Sequence, residues 1–135
     1  MKSKNYSFAI NSYNQAVNLI IICQKRKILP IIYIKYFIIN GFGTDWIKEF
    51  NNLLKQKFST KKFKLFVDCK KNYGLFINLV EQKIDYLKVD AKKETYKRLN
   101  QIAKKNKVSL NPKFSVLDFS KIKNIDLKME KNLVK

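Results

Sequence analysis

The chain has no histidine among its 135 residues. That removes the commonest general base near neutral pH, the commonest side-chain ligand for transition metals, and every Ser/His or Cys/His nucleophile pair. Cysteine is nearly as scarce. Cys23 and Cys69 stand far apart with no CxxC or zinc-type spacing, so both read as reduced, buried side chains of a cytoplasmic protein. Three glycines and two prolines are too few for a sandwich of many tight turns. No complete P-loop or dinucleotide fingerprint is present, so no cofactor is expected. Long apolar runs are missing too. Residues 16–39 are apolar but broken by Gln24-Lys25-Arg26-Lys27, and neither part reaches the ~18–20 residues of a membrane span. The N-terminus is polar and lacks the order of a signal peptide.

What is abundant is lysine. Lys and Arg number 29 against 10 acidic residues, a formal charge of +19, yet only Arg26 and Arg98 are arginine. Base readers rely on arginine forks. Nucleic-acid binding is therefore expected to be weak and nonspecific, and the helical patterns do not gather the charge on one face. Lysine, isoleucine and asparagine dominate as they do in an AT-rich coding sequence, which accounts for part of the charge without a partner.

Apolar residues make up 46%, enough for one core, so residues 1–119 read as a single domain followed by a basic tail over 120–135. Ser12 with Gln15 forms a capping box for a helix to Lys27, with Tyr13, Ala16, Val17, Ile20 and Cys23 inward. A short strand around residues 8–10 precedes it. Pro30 opens a β-branched and aromatic run, residues 31–39, that reads as a strand covered on both faces. Asn40-Gly41-Phe42-Gly43 breaks the run, and Thr44 caps the next helix. There Trp46, Phe50, Leu53, Leu54 and Phe58 recur at helical spacing. Further strands are expected at 63–68, 85–89 and 108–110. Between them lie helices at 73–82 and, capped by Asp90, at 90–106. Residues 114–119 are expected to pack.

Alternating strands and helices imply an α/β fold with a parallel sheet. The expected arrangement is about four parallel strands with helices on both faces. The alternative is an open half of a (β/α) barrel. In either, ligands bind outside the carboxyl ends of the strands. That edge would carry Gly41, Gly43 and Thr44, then Asp68, Cys69, Lys70, Lys71 and Asn72, then Asp90 and Lys92, and finally Asn111 and Lys113.

Gly41-x-Gly43-Thr44 before a helix can cradle an anion on backbone amides. Its bland counterpart is a plain strand-to-helix turn. Cys69, followed by Lys70, Lys71 and a helix start, would have a lowered thiol pKa; its bland counterpart is a half-buried structural thiol. Asp68 and Asp90 could share a hard cation, or be turn and capping residues. Lysines beside both carboxylates favour an anion over a metal.

The pattern Gly43-x-x-Trp46, Val67-Asp68-Cys69 and Gly74 ahead of an apolar helix resembles a family of short bacterial α/β proteins with no assigned activity. The resemblance spans residues 11–112. It implies the α/β fold and carries no catalytic residue over. Lys70-Lys71 stands where that family has a glycine and an acidic residue.

Three functions remain in order of support. The first is a non-catalytic module that binds a small anionic ligand or another protein. Next comes a small enzyme at the carboxyl edge, and last a protein drawn to nucleic acid by lysine charge.

Overall fold

β-Branched and aromatic runs separated by amphipathic segments form neighbouring strands of one sheet. The computed structural model describes residues 6–60 and 62–118. In chain order the elements are β1 (Tyr6–Ala9), α1 (Tyr13–Lys25), β2 (Ile31–Ile34), α2 (Tyr36–Phe42) and α3 (Thr44–Lys57). They continue with β3 (Lys64–Lys70), α4 (Tyr73–Glu81), β4 (Tyr86–Val89), α5 (Lys93–Lys105), β5 (Ser109–Leu110) and β6 (Ser115–Asp118). The class is α/β, with every strand pair parallel. The tail over 120–135 and Phe119 lie outside the described residues. No helix of the described residues is long and apolar enough to cross a membrane.

The strand order is β5-β4-β3-β2-β1-β6. From β1 to β5 it follows the sequence, so each right-handed crossover steps the same way and lays its helix on the same face. Of the two arrangements the sequence allows, this winding is the barrel-like one. Side-chain parity agrees. Phe8, Ile32 and Leu65 stand in register, as do Val67 and Leu87, and all join one core with Ile20, Ile47, Phe76 and Ala103 of the helices.

The other face is concave. Flat, a six-stranded sheet would hold β5 and β6 about 24 Å apart. The link 111–114 spans at most about 18 Å between Leu110 and Ser115. The sheet must curl to let it close. The link crosses the concave face and carries Phe114 onto Phe66 and Tyr86, at ring-centroid distances of 5.8 and 4.9 Å. Asn111 starts the crossing at φ 51°, its side-chain amide pairing with both backbone groups of Val89 in place of a further β5 residue.

Several boundaries differ from the sequence reading. The run 31–39 is not one strand. β2 ends at Ile34, Lys35 takes the extended conformation before a helix, and α2 follows with Ile38 and Ile39 buried. A short apolar run cannot distinguish a buried strand from a buried helical turn by periodicity. Thr44 is the first residue of α3 and not its cap; the cap position is Gly43, at φ 87°. Asp90 does not cap α5 either, because that helix starts three residues later, after Lys92. The Ser12 cap is as expected, accepting from the Gln15 N–H, while Gln15 Oε1 accepts from the Asn11 N–H.

Helices α1, α4 and α5 end alike. Lys27, Lys83 and Lys107 sit at φ 57°, 61° and 61°. The following Ile28, Ile84 and Val108 each donate back to the carbonyl five residues earlier, closing a Schellman motif. A side chain in this left-handed region costs roughly 1–2 kcal/mol, partly offset by the roughly 0.4–1 kcal/mol of extra unfolded-chain entropy that glycine brings. Lys83→Gly and Lys107→Gly should therefore each raise stability by about 0.5–1 kcal/mol in urea denaturation; a loss of stability would refute the motif.

Candidate functional site

The carboxyl ends of β2, β3 and β4 open onto one cleft of about 790 Å³. Tyr36 lines it from the start of α2. Asp68, Lys70, Lys71 and Asn72 come from the end of β3 and the turn into α4, and Lys88, Val89 and Asp90 from β4.

Asp68 organises this cleft. It is 6% exposed and is the one buried charged side chain among the described residues. Burying a carboxylate is costly unless it is hydrogen-bonded. Tyr33 Oη donates to Oδ2 at 3.1 Å, the Lys70 N–H donates to Oδ1 at 3.0 Å, and Lys70 Nζ lies 3.8 Å from Oδ2. Burial, and then the charge and hydrogen bond of Asp68, hold the Tyr33 phenol above the usual tyrosine range.

The Lys70 hydrogen bond fixes a bulge. Asp68 stands opposite Lys88 but Lys70 opposite Val89, so the register slips at Cys69. Lys70 adopts φ 48°, and its own carboxylate neighbour two residues back holds the turn. Asp90 then locks the outer side. Its N–H donates to the Lys70 carbonyl at 2.9 Å, and its carbonyl accepts from Tyr73 Oη at 2.8 Å. These are backbone bonds, so the exposed Asp90 carboxylate stays in the cleft lining.

Of the site residues expected from the sequence, Asp68, Lys70 and Asp90 come together here. Gly43 and Thr44 do not join them. They line a neighbouring cleft of about 320 Å³ with Ile39, Asn40 and Asn72, because α2 stands between β2 and Gly43. Asn72 borders both clefts, and its side chain caps α4 by accepting from the Leu75 N–H. Gly41 lies within α2 and lines neither. Asp68 and Asp90 share a cleft, but no three His, Cys, Asp or Glu side chains group to hold a metal among the described residues.

Cys69 is a correction. It faces the helix layer, is 0% exposed, and burial followed by the Asp68 charge pushes its thiol up from 9.0 to about 12. The lysines expected to lower it, Lys70 and Lys71, line the cleft instead. Tyr33, Tyr36 and Lys88 were not picked out from the sequence. Strand alternation in Leu87-Lys88-Val89 was the available signal for Lys88, since it sets the lysine opposite two core residues.

No family model and no curated protein matches the chain. Among solved structures the fold is similar to a protein from Coccidioides immitis provisionally named a fructose-1,6-biphosphate aldolase. The TM-score is 0.63 and the identity 9%, over 79% of this chain and 40% of that one. At that identity the likeness is one of fold, and this chain spans less than half the length of its neighbour.

Both thiols should resist alkylation in the folded protein and react fully once unfolded, without reductant, since neither is bridged. Burial raises Cys23 to about 12 as well. Folded pKa values above unfolded ones contribute stability that is fully present below pH 9 and is lost as pH rises towards 12. Urea midpoints should fall over that window, and fall less in Cys23→Ala/Cys69→Ala. Equal slopes for the two proteins would contradict the burial.

Proposed function

We propose that this chain is a small, non-catalytic α/β binding module whose cleft at the carboxyl edge of the sheet takes a small anionic ligand. One observation carries the reading. Three lysines, Lys70, Lys71 and Lys88, line a single cleft whose buried carboxylate is already satisfied by Tyr33 and the Lys70 backbone. Lys70 Nζ also lies 3.8 Å from Asp68, but with Lys71 and Lys88 the cleft lining has more cations than carboxylates, and a charge-assisted contact to an anion is stronger than a neutral one. The name of the fold neighbour refers to a phosphorylated sugar. A phosphate ester is the kind of anion that three lysines would hold. With no histidine in the chain and Cys69 buried, neither a histidine-activated nucleophile nor an exposed thiolate stands at this edge among the described residues, which supports binding without turnover. Unpaired thiols suit a reducing compartment, and we place the protein in the cytoplasm.

A small enzyme at the same edge is the second reading, favoured by the buried Asp68–Tyr33 pair beside Lys88.

Inorganic pyrophosphate followed by amide NMR tests the proposal. Saturable shifts should centre on Lys70, Lys71 and Asp90, and Lys70→Ala/Lys88→Ala should weaken binding by about tenfold or more. Shifts centred elsewhere, or an affinity unchanged in the double variant, would remove it.

A further inference from the structure

The charge of this chain is not spread evenly over its helices. Helix α5 carries Lys93, Lys97, Arg98, Lys104 and Lys105 against Glu94 alone. By contrast, α3 sets Lys48, Lys55 and Lys57 against Asp45 and Glu49, and α4 has Glu81 with no basic residue. All five α5 cations are exposed, while Leu99 and Ala103 are buried against the sheet. None of the five lies within ion-pair distance of a carboxylate among the described residues. The helix thus gathers its charge on the outward face, contrary to the expectation from the sequence patterns.

We infer that the outer face of α5 docks on the phosphate backbone of a nucleic-acid duplex, without reading its sequence. The row Lys93, Lys97, Lys104 extends about 16 Å along the helix. Over that length a duplex presents on the order of ten phosphates. No large apolar side chain of α5 is exposed. A membrane-surface helix would bury an apolar face, and a protein interface would offer an aromatic or aliphatic anchor. Charge without an apolar centre fits a polyphosphate backbone better than either. With one arginine on the face, no base-reading fork is formed beyond Arg98. The surface is separate from the carboxyl-edge cleft and does not rest on its ligand.

The test uses the full chain and a fluorescent 20-base-pair DNA of arbitrary sequence, titrated at several salt concentrations. Lys93→Gln/Lys97→Gln/Arg98→Gln/Lys104→Gln is compared with Lys25→Gln/Lys48→Gln/Lys55→Gln/Lys57→Gln, which removes the same charge from α1 and α3. The α5 variant should lose at least tenfold in affinity, and its salt slope should fall by up to about 3.6, near 0.9 for each lost phosphate contact. The control should lose less than threefold. Both variants must keep the wild-type melting temperature within a few degrees. If either does not, duplex protection of Lys97 and Lys104 from acetylation in the wild type decides the matter. Equal losses in the two variants, unprotected lysines, or tighter wild-type binding to phosphatidylglycerol vesicles or polyglutamate than to the duplex would overturn the inference.

Discussion

A single buried carboxylate shapes the carboxyl edge of this sheet. Asp68 stands on the concave face, where a charge needs partners, and it takes them from two directions. Tyr33 reaches it from β2, and the Lys70 amide reaches it from two residues along its own strand. The second bond bends the strand end into the bulge, and Lys70 lines the cleft beside Asp68. Without that bend the alternation of β3 would send Asp68 and Lys70 straight up one face. The carbonyl of Lys70 would also lose its bond from Asp90, so the β3 and β4 ends are tied through the same turn.

The wider frame follows from a short connection. Four residues between β5 and β6 cannot bridge a flat sheet, so the sheet curls. Its concave side then holds Phe66, Tyr86 and Phe114 in edge-to-face contact and leaves the upper end, around Asp68 and Lys88, to solvent. Sequential winding puts the helices on the convex side. Substrate-sized space and the outward face of α5 therefore belong to different surfaces, one lined by both charge signs and the other almost wholly basic.

Much of this was legible in the chain. Helix α1 follows from its Ser12 cap and α3 from its 3.6-residue spacing, because their polar faces meet water. The boundary inside residues 31–39 was not legible, because a short run that is apolar at every position but Lys35 has no polar residues to mark its period. That error moved the glycines to the wrong place, and with them Gly41, Gly43 and Thr44. Cys69 was readable: of its two readings the structural thiol is the one found. Leu65, Val67 and Cys69 alternate with Phe66 and Asp68, so a residue adjacent to a cleft-facing Asp68 had to face the core. The bulge at Lys70 had no sequence signal of its own, since lysine in the left-handed region is unfavourable and contacts with Asp68 and Asp90 hold it there.

The most direct test of this account is amide hydrogen exchange at Lys70 in the wild type and in Asp68→Ala. If the carboxylate holds the bulge, the Lys70 amide should exchange at least tenfold faster in the variant, and Asp90, which donates to the Lys70 carbonyl, should follow it. Val67 and Leu87, in the middle of the sheet, should keep their protection. Unchanged exchange at Lys70 in a folded Asp68→Ala protein would contradict the claim that Asp68 builds this edge.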